Sequence, residues 1–231
     1  MPTINGLTSA SGALRYWERR QEITANNLAN VSTDGFKAER AFSTLLNGAP
    51  VIGTHVDNRV GNIRQTGEST DVALGGDGFL VVSTPAGERL SRGGSLRVDT
   101  AGFLADQDGH RVLGRNGAIH VGSSTLQIDK RGGVAIDGRA VEQLRVESAP
   151  AGTQLLHEGG TLFIPGPVRT IVPPDQRDVR QGSLEESNVN SLDGLVDMID
   201  VQRAYAAVEK SVTLLDHIRE TATSQLGRPA S

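Results

Sequence analysis

The hydrophobic period of this chain switches from helical to strand-like and back again, and that double switch limits the possible folds more than any single motif. From about residue 5 to 31, Leu7, Ala10, Leu14, Trp17, Gln21, Thr24, Leu28 and Val31 recur at steps of three and four, which predicts one helical stripe. Ser32-Thr33-Asp34-Gly35 then supplies a break, with Asp-Gly as its turn chemistry. From about 70 to 180 the helical signal is gone. Short β-type runs replace it at 71–74, 79–83, 95–98, 119–121, 126–128, 133–136 and 144–147. Between them lie Asp77-Gly78, Asp108-Gly109, Asn116-Gly117 and Asp137-Gly138, pairs that tolerate the positive φ of tight hairpin turns. From Asn190 to about Leu226 the helical spacing returns, through Met198, Val201, Tyr205, Val208, Val212, Leu215, Arg219, Ala222 and Leu226. Leu192, Leu195, Val196 and Ile199 widen that stripe at its start.

The expected class is therefore α+β. Long N- and C-terminal helices pair as a coiled-coil-like inner domain, and an antiparallel β domain is inserted between them. The expected boundaries are 1–48 with 183–231 for a discontinuous helical assembly domain, 49–69 for a linker, and 70–182 for a β-rich outer domain. A narrow seam near 3.5-residue spacing is coiled-coil patterning and needs a partner helix. Residues 1–48 carry five basic and four acidic side chains, and 183–231 carry four basic and eight acidic, so the ends stand at +1 and −4. That is opposite in sign but too small to select a partner. An apolar content of 37%, with 3% aromatics and 28 glycines, describes a thin core with many turns, one that leans on partners.

The residues that chemistry would need are missing or misplaced. No cysteine is present, which removes disulfides, thiolate metal sites and cysteine nucleophiles together. The histidines at 55, 110, 120, 157 and 217 show neither i, i+4 pairing nor a zinc-protease pattern. Ala105-Asp106-Gln107-Asp108-Gly109 faintly resembles a calcium loop, but Leu104 stands at its first ligand position and Arg115 at its twelfth, so a hairpin turn is expected instead. Gly75-Gly76-Asp77-Gly78 lacks the lysine of a phosphate cradle, and no glycine-x-serine-x-glycine elbow occurs. Glu185-Glu186 and Asp197 with Asp200 read as solvated charge. No catalytic, cofactor-binding or metal residue is assigned. A net charge of −4 without a basic block gives nucleic acid no footing. No run reaches the roughly 18 apolar residues of a membrane span, and Met1 to Ala13 lacks the layout of a secretory signal.

Three motifs carry a resemblance. Ala25-Asn26-Asn27-Leu28-Ala29-Asn30-Val31, followed by Thr33-Asp34-Gly35-Phe36-Lys37, resembles the N-terminal signature of flagellar rod and hook proteins. Asp71-Val72-Ala73-Leu74-Gly75-Gly76-Asp77-Gly78-Phe79 is similar to that family's entry into its β domain, and Gly182-Ser183-Leu184-Glu185-Glu186-Ser187-Asn188-Val189-Asn190 to the stretch before its last helix. The resemblance implies a structural subunit of the flagellar basal-body rod, polymerising through its terminal helices to transmit torque from motor to hook. It implies as partners other copies of this chain, other rod subunits and the flagellar export apparatus. It also implies a place in the periplasmic rod, reached without a cleaved signal peptide. The short interval from Phe36-Lys37 to Asp71 favours a proximal subunit, with a distal one as the alternative.

On this reading the assembly seam comprises Leu7, Leu14, Trp17, Leu28, Val31, Met198, Val201, Tyr205, Val208, Val212, Leu215 and Leu226. The asparagines at 26, 27 and 30 can satisfy backbone groups of a neighbouring chain, Gly35 permits the turn after the first helix, and Asn188 and Asn190 can cap the last. Two other classes compete. A β-domain protein oligomerised by terminal coiled coils explains the periods but not the motifs. A muramidase would need a paired-carboxylate cleft.

Overall fold

A computed structural model describes residues 3–46, 49–150 and 155–226, with side chains for all of these except 3–8, 45–46, 49–50, 219 and 225–226. Helix α1 (Thr3–Ala29) opens the chain, followed by a two-stranded sheet of β1 (Glu39–Leu46) and β2 (Ala49–Val56). Next come β3 (Ile63–Gln65), β4 (Val72–Leu74), β5 (Phe79–Thr84), β6 (Gly87–Ser91), β7 (Arg97–Val98), β8 (Leu104–Ala105) and β9 (Arg111–Val112). The second half holds β10 (Leu126–Ile128), β11 (Gly133–Ile136), β12 (Arg139–Gln143), β13 (Val146–Ser148), β14 (Leu156–Gly159), β15 (Leu162–Ile164) and β16 (Thr170–Ile171). β17 (Val179–Gln181) and β18 (Ser183–Glu185) lead into helix α2 (Ser191–Leu226).

The chain divides into two compact units. One holds residues 1–28, 40–54 and 191–231, the other 29–39 and 55–190. The second unit is an antiparallel β structure, as the turn pairs require. Its largest sheet has nine strands, running β14-β15-β6-β5-β9-β8-β7 with β13 and β16 attached through β5. β5 lies at the centre, and its alternation decides the core. Leu80 and Val82 enter one buried cluster with Val72, Leu104 and Val112, while Phe79 and Val81 enter another with Leu90 and Phe163. Both faces of this strand are therefore dry. Between β11 and β12, Asp137 (φ 50) and Gly138 (φ 77) form the turn that the Asp-Gly pair predicts.

Some strands were not legible. The stretch 49–69 carries β2 and β3, and β12, β14 and β16 are largely exposed, so their sequences show no buried-face alternation. The expected run 119–121 makes only an isolated bridge, Phe103 to His120, because the Asn116-Gly117 turn and Gly122 leave it too short to extend.

In the first unit, α2 is 36 residues long, roughly 54 Å at 1.5 Å per residue. Among its described side chains the expected stripe is the least exposed face: Val201 is buried, and Met198, Tyr205, Val208 and Val212 are half-buried. In α1, Leu14, Trp17 and Leu28 are half-buried, but the most buried side chain is Ile23, which lies beside the expected stripe. Val31, just past α1, is half-buried. The side chains of Leu7, Arg219 and Leu226 lie outside the described residues. Within this unit Arg20 Nη2 comes 3.9 Å from Asp197 Oδ1, and a Cβ at Gly194 would sit 3.7 Å from Leu28 Cδ1.

Candidate functional site: a buried ion cluster joining three motifs

The three motifs, far apart in sequence, meet in the second unit around one carboxylate. Glu185, at the end of β18, is placed by pairing of that strand with β3, where Glu185 stands opposite Ile63. Its Oε1 accepts from Lys37 Nζ at 2.5 Å and from the Gly61 amide at 2.8 Å, and its Oε2 accepts from Arg92 Nε at 2.5 Å. The side chains of Lys37 and Glu185 are 1% exposed and that of Arg92 is 2% exposed. Glu185 was expected as solvated charge. It is instead the centre of a dry ion cluster, because the chain before α2 returns into the β unit rather than running along the surface.

Two cations against one anion leave a surplus positive charge, and backbone carbonyls absorb it. Arg92 donates through Nη1 to the Gly78 carbonyl, and through Nη2 to Leu74 O at 2.7 Å and Gly76 O at 2.9 Å. Lys37 Nζ also donates to Arg59 O at 2.7 Å. The glycine-rich turn of the second motif is thus a set of carbonyls wrapped around a guanidinium, not a phosphate cradle. Burial pushes the Lys37 amine below its ordinary range, the charge of Arg92 pushes it further, and Glu185 opposes both.

Around the ions the backbone is held equally closely. The Gly35 amide donates to the Glu185 carbonyl at 2.6 Å, and the Asn188 amide to Phe36 O at 3.4 Å. Asn188 Oδ1 accepts from the Ala38 amide at 2.8 Å, while its Nδ2 donates to Asp57 O at 2.7 Å and Arg59 O at 3.0 Å. Asn188 therefore ties three chain segments together instead of capping α2. Gly182 (φ 70) lets its carbonyl accept from the amides of both Thr66 and Gly67. Phe36 stacks on His157, which also meets Phe163, and Phe163 packs edge-on against Phe79. Burial holds the His157 imidazole below its ordinary range. Its Nε2 lies 3.1 Å from the Lys37 carbonyl, so that nitrogen carries the proton.

Gly35 shows how tight this is. It has φ 76, and a Cβ there would lie 2.3 Å from the Arg92 carbonyl oxygen, which is backbone and cannot swing aside. Gly35→Ala is expected to destabilise the β unit by about 2 kcal/mol or more, through strain at positive φ plus the overlap. Thermal unfolding of the purified variant checks this; an unchanged midpoint contradicts it.

Of the motif residues, Gly35, Phe36, Gly78, Phe79, Leu184, Glu185 and Asn188 are brought together here, with Gly182 close by on the same strand connection. Asn26, Asn27 and Asn30 lie at the end of α1 and just after it, and Ser187, Val189 and Asn190 on the approach to α2. Thr33 Oγ1 donates to Asn30 Oδ1 at 3.1 Å and the Thr33 amide to Asn30 O, closing the turn after α1. Val189 N donates to Ser187 Oγ at 3.2 Å. Sequence reasoning missed Arg92 and His157. Arg92 sits in Ser91-Arg92-Gly93-Gly94, which reads as an ordinary polar turn, and no local signal shows that its side chain turns inward.

Comparison with known proteins divides along the same lines. The family described as "Flagella basal body rod protein" matches residues 7–37, "Flagellar hook protein FlgE/F/G D1 domain" matches 73–136, and "Flagellar basal body rod FlgEFG protein C-terminal" matches 180–226. Lys37, Arg92 and Glu185 fall one in each. The flagellar basal-body rod protein FlgF of Escherichia coli K12 is 31% identical over 242 residues, covering 92% of this chain and 94% of that one. FlgF of Mesorhizobium japonicum is 30% identical over 228 residues, with 90% and 89% covered. The rod protein FlgG of Agrobacterium fabrum is 28% identical over 262 residues, with 96% and 100% covered. Similarity of this extent, over both termini and the β unit between them, shows that the chain belongs to the family of flagellar basal-body rod proteins.

Proposed function

We propose that this chain, a structural subunit of the flagellar basal-body rod and not an enzyme, polymerises through its terminal helices and passes torque from motor to hook through the Lys37–Glu185–Arg92 cluster. Of the expected inner assembly domain, 1–48 and 183–231, the helices α1 and α2 form the coiled-coil-like pair, while 29–39 and 183–190 belong to the β unit together with the outer stretch 70–182. The observation that carries this reading is the apolar surface left on α2 in the single chain. Leu192 is 72% exposed and Ile218 55%, with Leu195, Val196, Ile199 and Leu214 also exposed. A lone helix with such a surface, and with no basic residue in its last turn to offset the dipole, is marginal in water. Neighbouring copies supply the missing cover, and a head-to-tail contact whose rotation does not close builds a helical rod.

The cluster gives the assembled helices something rigid to pull on. Lys37 follows α1 and Glu185 precedes α2, so both connections to the helices are fixed to one buried carboxylate and to Arg92 in the sheet. Export by the flagellar apparatus without a cleaved signal, a periplasmic position, and a proximal rather than distal place in the rod complete the proposal. The short interval between Lys37 and Asp71 supports the last of these.

Amide hydrogen exchange tests the assembly step. In the purified chain, α1 and α2 are expected to exchange far faster than β5 and β6, and in isolated basal bodies the same helical amides slow by at least about 100-fold. Equal protection of the helices in the free and assembled states contradicts the proposal.

A further inference from the structure

We propose that a cavity in the β unit, about 400 Å³ in volume and lined by Arg115, Arg145 and Arg177, is a binding site for a carboxylate carried on a compact apolar body. Its apolar wall is Leu144, Ile171 and Pro174. The three arginines are not equivalent. Arg145 is already neutralised: it pairs with Glu88 and Glu147, and Arg169 pairs with the same two carboxylates, so these four charges cancel. Arg177 has only carbonyl partners among the described residues, donating through Nε to Val172 O and through Nη1 to Leu144 O, both at 2.7 Å, and to Arg131 O at 3.4 Å. Arg115 is exposed; its backbone amide donates to Gln143 O, and its guanidinium makes no ion pair among the described residues. The cavity thus carries two cations that pair with no carboxylate among the described residues.

Burial pushes the Arg177 guanidinium below its ordinary range, and no acidic neighbour among the described residues opposes that. An arriving anion would supply the missing charge. Guanidinium groups bind planar carboxylates through paired, charge-assisted hydrogen bonds, and the wall of Leu144, Ile171 and Pro174 favours an apolar group beside the carboxylate over a bare inorganic ion. Such a carboxylate could come from a free small molecule or from another copy of this chain, where Ile199 and Asp200 present an exposed apolar and acidic pair on α2.

Titration of the full-length chain with glutarate, followed by amide NMR, tests the site. Glutarate is expected to give saturable shifts at 115, 143–145 and 171–177, while uncharged glutaramide gives none. Arg115→Gln removes no side-chain hydrogen bond or ion pair among the described residues and is expected to weaken glutarate at least tenfold; Arg177→Lys, which keeps the charge but loses the fork, is expected to do the same. If another copy is the source, glutarate and Asp200→Asn each reduce self-association in sedimentation; if a free molecule is, glutarate binds and self-association is unchanged. Either result supports the site. The absence of saturable shifts, or equal glutarate affinity in Arg115→Gln, overturns it. The NMR result is read on the single chain and stands apart from whether that chain builds a rod.

Discussion

Glu185→Gln is expected to lower the melting midpoint of the β unit by on the order of 10 °C, from a loss of about 3–5 kcal/mol when a buried ion pair loses one partner. The exchange keeps the size of the side chain and removes its charge. Lys37 and Arg92 then face each other in a dry site, with backbone carbonyls around both and the carboxylate of Asp57 as the remaining anion acting on Lys37. The pH dependence follows from Lys37. Its amine is already held below the ordinary 10.5 in the folded chain, so the folded state gives up that proton at a lower pH than the unfolded state. Between those two values the unfolded chain binds more protons, and stability rises with pH. Without Glu185 the amine falls further and this window widens towards neutrality. The deficit of Glu185→Gln relative to the parent should therefore be largest near pH 7 and shrink towards pH 10. Adding Lys37→Met should recover part of the loss at pH 7, since it removes one of the two unbalanced cations. A midpoint within 2–3 °C of the parent, or a deficit that grows with pH, would show that the cluster is not held as described.

The second large effect concerns assembly. Leu215 is 39% exposed in the single chain, beside the exposed Leu214 and Ile218 and near the half-buried Val212. Aspartate there stays largely solvated in the free subunit, so its melting should change by no more than about 0.5 kcal/mol. In a packed helical rod the same carboxylate would be buried without a partner, at a cost of several kcal/mol in every copy. Cells carrying Leu215→Asp are expected to export a folded subunit and build no rod beyond it, while Glu209→Gln, on an exposed position of the same helix, should swim. Swimming by Leu215→Asp cells, or unfolding of the free variant, contradicts the seam.

These two predictions rest on features of very different legibility. The α2 stripe could be read from the sequence because 3.6-residue periodicity is local and survives without tertiary information; Val201 and its half-buried neighbours fall where the spacing puts them. The hairpin at Asp137-Gly138 was legible for the same reason, since its positive φ is a property of two adjacent residues. Ile23 was missed because burial in α1 depends on what packs against it rather than on its own spacing. The short strands β14 and β16 were missed because their residues are exposed and carry no alternation. The ion cluster shows the limit most clearly. All three motifs were visible, but not that they meet, because Lys37, Arg92 and Glu185 are joined only by strand pairing across most of the chain. Glu185 read as solvated charge on its local sequence, and only the β3–β18 register carries it inside.

The most direct test of the account is a density map of intact basal bodies, at a resolution that shows side chains, with this chain placed in the rod. The account predicts that Val208, Val212, Leu215 and Ile218 of each copy are covered by helices of neighbouring subunits, with Glu185 still bridging Lys37 and Arg92. A rod in which that face of α2 remains open to solvent would contradict it.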